Sequence, residues 1–96
     1  MMAVIGIDPG TAITGFGIIA QADDGKLTTP AYGVIRTDKD LRPEERLAVL
    51  YECLYEILNE HRPEQGAVER LYFQQNVRTA IAVGEARGVI LLALAQ

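Results

Sequence analysis

Residues 3–20, AVIGIDPGTAITGFGIIA, set one aspartate between two apolar, glycine-spaced runs. Residues 3–8 are β-branched and apolar as far as Asp8 and read as a buried strand. Residues 13–20 read as a second strand, in which Gly15 and Gly17 alternate with Thr14, Phe16 and Ile18. One face of it is nearly bare backbone, and glycine in a strand often marks a close approach by another group. Between the strands, Asp8-Pro9-Gly10-Thr11 has the chemistry of a type II turn. Proline presets the second position and glycine takes positive φ at the third. Asp8 at the first position can accept backbone N–H bonds. Ending a buried strand, it also stands at a sheet edge rather than in open solvent.

Working outward, DDGK at 23–26 is a turn signal and YGVIRT at 32–37 a third strand. Three strands with short links suggest an antiparallel meander. RPEERLAVLYECLYEILNEHRPEQ follows, with Pro43 suited to a first helical turn and Glu44 and Glu45 to the positive helix start. Leu47, Leu50, Leu54, Ile57 and Leu58 form one apolar face, and Arg62-Pro63 ends the helix. GAVE at 66–69 is a short strand, and Asn76 can cap a last helix from about Val77. The order β-β-β-α-β-α predicts a mixed α/β sheet: three antiparallel strands, then a crossover to a parallel fourth.

A chain of 96 residues, 49% hydrophobic and 23% charged, suits one small globular domain. Its net charge of −4 argues against a generally basic nucleic-acid binder but leaves room for a local basic face. After Glu69, Arg70, Arg78 and Arg87 face only Glu85. Cys53 is the single cysteine and cannot form an internal disulfide. No secretory leader is visible, and GVILLALA is far shorter than the about 20 residues that span a bilayer. The expected setting is cytoplasmic. The chain stops at LLALAQ, in an apolar helical pattern without a cap. That predicts one domain over 1–96, incomplete at its C-terminus.

Glu69, like Asp8, ends an apolar strand. If the fourth strand lies parallel beside the first, the two carboxylates emerge at the same end. They then repel unless a proton or cation joins them. Oxygen ligands without His or Cys suit Mg²⁺ or Mn²⁺. Such a site activates water and stabilises charge on a phosphoryl group.

IGIDPGTAITGFGII, VERLYFQQN and AVGEARGVILLALAQ together resemble the RuvC family, the bacterial Holliday junction resolvases, from Val4 to Gln96. The DPG turn alone would not be specific; the combination is. The resemblance implies a ribonuclease-H-like fold, a homodimer, and four acidic residues that use Mg²⁺ to nick a four-way DNA junction symmetrically. Asp8 matches the first acid and Glu69 the second; the third and fourth belong to a segment beyond this chain. Two metal ions would bridge the scissile phosphate, Asp8 shared by both and Glu69 on the side of the attacking water. The products would carry a 5′-phosphate and a 3′-hydroxyl. Branch-migration helicases are implied partners. With two acids missing, the 96-residue chain by itself is expected to cleave weakly or not at all.

In the family an aromatic side chain approaches the crossover from the loop behind the second acid. Tyr72 fits that wedge best and Phe73 is the fallback; ordinary core packing is expected for one of the two. Gln74, Gln75, Asn76 and Arg78 can bind phosphates or merely form a solvated loop. Thr11 either donates to a phosphate or closes the turn. Ala80, Gly84 and Gly88 fall four apart, a small-residue stripe that packs on the sheet or, as the resemblance implies, across a dimer axis. His61 suits a helix C-terminus and Cys53 a packed thiol, neither with a chemical role. Two other readings stay open. A kinase or ATPase of the actin and sugar-kinase type shares the topology and an Asp-X-Gly turn. A non-catalytic junction-binding module, or a nuclease acting on ribosomal RNA precursors, is the other. Glu69 with YFQQN behind it favours the resolvase.

Overall fold

The computed structural model describes residues 2–10, 12–70 and 77–96. Its elements are β1 (Met2–Asp8), β2 (Ile13–Gln21), β3 (Leu27–Arg36), α1 (Pro43–His61), β4 (Gln65–Val68) and α2 (Val77–Ala95). The strands form one sheet in the order β3-β2-β1-β4. β1 and β3 each pair antiparallel with β2, and β4 lies parallel beside β1. The expected meander and crossover are both present.

Two boundaries differ from expectation. β3 begins at Leu27 rather than at residue 32 and carries Pro30 within it. β3 is the edge strand, and Pro30 falls at the irregularity in its pairing with β2, where it has no partner and so removes no ladder bond. The pairing of β2 with β3 also shifts between Ile18 and Ala20. At the other edge, β4 stops at Val68, so Glu69 lies one residue past the strand.

Local chemistry accounts for the connections. Gly25 takes φ 87° in the β2–β3 turn, and the Asp24 carboxylate accepts the Lys26 N–H at 3.0 Å. Helix α1 starts with Pro43 at its first position, and the Glu45 carboxylate reaches back to the Arg42 N–H at 3.0 Å. It ends where Arg62 turns left-handed at φ 46° and donates its N–H to the Leu58 carbonyl at 2.8 Å.

Side-chain alternation along the strands gives the sheet two unlike faces. Ile5, Ile7, Ile18 and Ile35 point to the helices and join Leu50 and Leu54 of α1 with Ala86, Ile90 and Ala93 of α2 in the core. Ile5, Ile18, Leu54 and Ile90 are wholly buried, and each such side chain contributes about 1.5–3 kcal/mol of transfer free energy. α2 lies close over β4: a Cβ on Gly66 would stand 2.9 Å from the Leu94 side chain. The opposite face carries Gly6, Gly17 and Asp8, with Ile19, Tyr32 and Val34 exposed. A Cβ on Gly6 or Gly17 would meet nothing within 4 Å, so this face is open along its centre.

Candidate active site

The site stands at the C-terminal ends of β1 and β4. Asp8 closes β1 opposite Gly15 of β2, and a Cβ on Gly15 would contact the Asp8 Cβ at 3.8 Å. The missing side chain leaves the carboxylate uncrowded on the open face.

The turn after Asp8 is not the type II turn expected, because Gly10 does not adopt positive φ. Gly10 is needed for closeness instead: a Cβ there would overlap the Ile13 carbonyl oxygen. The Gly10 N–H donates to the Thr14 hydroxyl at 3.4 Å. Thr14 is the one buried polar residue among those described, so its hydroxyl fastens the turn to β2 from the core side.

Glu69 is set by the ladder. Ile7 pairs with Val68, and the Glu69 N–H donates to the Ile7 carbonyl at 2.9 Å. The next rung therefore brings Glu69 level with Asp8, on the same open face. A hydrogen bond with the Asp8 carboxyl, the Asp8 charge and partial dehydration, in that order, push the Glu69 carboxyl above its ordinary value. The two carboxylates therefore hinder each other's ionisation, with Glu69 the one pushed up.

This donor set fits a hard divalent cation. Both ligating groups are carboxylates, no His or Cys intrudes, and a cation would relieve the repulsion that now favours the proton. Among the described residues no cluster of three or more ligating side chains forms, so the pair is a partial shell.

The other site residues divide. Arg78 is exposed in the first turn of α2 and borders a cavity of about 460 Å³ that also touches Thr14, Arg46, Leu47 and Ala86. Thr11, Tyr72, Phe73, Gln74, Gln75 and Asn76 lie outside the described residues. The small-residue stripe does not pack on the sheet. Gly84 and Gly88 are exposed and Ala80 half-buried, while Ala86, Ile90 and Ala93 form the buried face of α2. The helix turns these glycines outward together with Val77, Ile81, Leu91 and Leu92.

Two residues escaped the sequence reading. One is Thr14, whose place among buried positions of β2 was the signal that its hydroxyl needs a partner. The other is Arg87, whose Nε donates to the Glu69 carbonyl oxygen at 3.2 Å. It had counted only toward charge, although it directly follows Ala86 on the buried face. Among the described residues no helix is long and apolar enough to cross a membrane.

The chain resembles known proteins in sequence and fold. The family described as Crossover junction endodeoxyribonuclease RuvC matches residues 4–96. A relative of that name from Pelotomaculum thermopropionicum is 50% identical over 95 residues, covering 99% of this chain and 57% of the relative. The chain thus spans about half to three-fifths of the length of the curated relatives it matches. Among solved structures, Thermus thermophilus RuvC in complex with Holliday junction substrate superposes with TM-score 0.86 at 33% identity, covering 96% of this chain and 58% of that one. The yeast mitochondrial Holliday junction resolvase, with TM-score 0.67 and 19% identity over 93% of this chain and 42% of that one, shares the fold. The mixed sheet is ribonuclease-H-like, and the paired carboxylates stand on a scaffold whose family match runs almost from end to end: the chain belongs to the RuvC family.

Proposed function

We propose that the protein carrying this chain is a divalent-metal-dependent endonuclease that resolves four-way DNA junctions by paired, symmetric cuts. The observation that carries the reading is the convergence of Asp8 and Glu69 on adjacent parallel strands at the open face of the sheet. Asp8 and Glu69 would hold Mg²⁺, with Mn²⁺ as substitute and two ions per site. When bound, the metal supplies an activated water and charge neutralisation at the scissile phosphate. The chain's own part is positional. Asp8 is fixed by the end of β1 and the Thr14-fastened turn, so it meets a cation without first losing side-chain freedom. Glu69 stands beside it, its carboxyl pushed up by the hydrogen bond and charge of Asp8, a repulsion that a cation would offset.

Arg78, Gln74, Asn76 and Thr11 would contact DNA phosphates, with Tyr72 or Phe73 stacking at the crossover. The outward stripe of α2, with Ala80, Gly84 and Gly88 beside exposed Ile81 and Leu92, would face a second copy. A two-fold dimer matches a junction with two-fold symmetry. Residues 1–96 would then form the larger part of one ribonuclease-H-like domain whose remaining acids lie further along the polypeptide. A cytoplasmic setting and cooperation with branch-migration helicases follow from this role.

The test is Mg²⁺-dependent nicking of a labelled four-way junction by the intact protein, beside a linear duplex of the same sequence and the Asp8→Asn variant. Symmetric nicks in the junction alone, lost in the variant, support the proposal. Tight junction binding without nicking by the unaltered protein means a scaffold kept for binding.

A further inference from the structure

We infer that Arg87 is a positioning residue for Glu69, supplying the hydrogen-bond donor that Pro9 takes away from the β1–β4 ladder. The inference rests on the function proposed above, because it assigns Glu69 a role at the metal site.

In a parallel ladder, a residue bonds the two residues that flank its partner on the next strand. Glu69 lies level with Asp8, and its N–H goes to Ile7 at 2.9 Å. Its carbonyl should then receive the N–H of residue 9. That residue is Pro9, which has none. The rung that would hold the far side of Glu69 cannot form. β4 has four residues and stops at Val68, so little else on its own strand restrains the position. Arg87 closes the gap from above, its Nε donating to the Glu69 carbonyl at 3.2 Å.

The helix is a firm base for this contact. Ala86 and Ile90, on either side of Arg87, are buried in the core, and Arg87 itself is half-buried. Both backbone groups of Glu69 are thereby tied, one to β1 and one to α2. The same proline that shapes the turn after Asp8 therefore creates the need for an arginine on a distant helix. A carboxylate free to swing would hold a cation less well and at poorer geometry.

The experiment compares Arg87→Met, which keeps an unbranched side chain but no donor, with Arg87→Gln, which keeps a neutral donor. Four readouts are taken on the intact protein: the Tm in EDTA, junction binding in EDTA, the rise in Tm on adding Mn²⁺, and single-turnover junction cleavage. For Arg87→Met the expected result is a cleavage rate about 10- to 100-fold lower and a smaller Mn²⁺-induced rise in Tm. Its junction affinity in EDTA should stay within about twofold and its Tm in EDTA within about 3 °C. Arg87→Gln should recover part of both losses. Cleavage by Arg87→Met within about twofold of the unaltered protein overturns the inference. So does a loss explained by weaker junction binding, which would make Arg87 a phosphate contact. If the unaltered protein does not nick junctions, the proposed function fails, and Arg87 is judged on Mn²⁺ alone. A diminished Tm rise in Arg87→Met then upholds its role toward Glu69, and an unchanged rise overturns it.

Discussion

Asp8 and Glu69 stand one rung beyond the Ile7–Val68 pair, level with each other at the ends of neighbouring parallel strands and directed to the face of the sheet away from both helices. Side chains alternate along each strand, so a register slip of one residue would turn Glu69 toward the core. The Glu69–Ile7 bond at 2.9 Å is what keeps the two acids on one side.

Their proximity has a sign in pH. The folded state raises the Glu69 pKa, chiefly through Asp8, so it retains a proton that the unfolded chain has lost. Stability then falls as pH rises through the window above the ordinary value of 4.5 and recovers as pH drops back toward it. Thermal melts in EDTA from about pH 4 to about pH 8 should show the unaltered protein losing Tm relative to Glu69→Gln as pH rises. A difference between the two that does not change with pH rules this coupling out.

Metal should reverse that penalty. In the intact protein at neutral pH, Mn²⁺ should raise the Tm, and Asp8→Asn should abolish most of the rise. Junction cleavage by Asp8→Asn should fall by at least about 100-fold, since even outer-shell partners of a metal are worth 10–100-fold. Junction binding in EDTA should survive. Equal Mn²⁺ stabilisation of both proteins would exclude Asp8 as a ligand.

The glycines of the first hairpin separate by cause. Gly10→Ala drives a Cβ into the Ile13 carbonyl, and because backbone cannot step aside cheaply it should cost about 1–3 kcal/mol or more. Gly17→Ala meets nothing within 4 Å and should change stability by no more than about 0.5 kcal/mol. Urea denaturation of the two variants checks the contrast. Similar midpoints for both would show that the turn relaxes around the new methyl.

The fold was legible because its signals were local. Alternating apolar residues gave β1 and β2, Pro43 with two following glutamates gave the start of α1, and Arg62-Pro63 gave its end. The pairing of Asp8 with Glu69 was legible because both close apolar strands that the topology makes parallel. What escaped depends on distance in the chain. β3 starts five residues earlier than expected with Pro30 inside it, which only an edge strand with an irregular pairing tolerates. The Arg87 contact joins residues 18 apart in the chain, and no periodicity announces it. The stripe of Ala80, Gly84 and Gly88 carried no sign of direction. Its outward turn follows from which other positions, Ala86, Ile90 and Ala93, fill the core.

That outward turn carries the remaining prediction. Val77 and Ile81 of α2 are 71% and 59% exposed, and Leu92 is 54% exposed, all on a helix whose opposite face is buried. A Cβ on Gly88 would meet nothing within 4 Å, so a second helix could approach closely there. If this face joins two copies, Ile81→Glu places a charge in an apolar interface and should weaken self-association by at least about tenfold. Because Ile81 contributes little to the core, the monomer's fold should survive, with far-UV circular dichroism unchanged. Sedimentation equilibrium of the intact protein over a range of concentrations measures the shift. A dimer of undiminished affinity in Ile81→Glu would move the interface away from this face of α2.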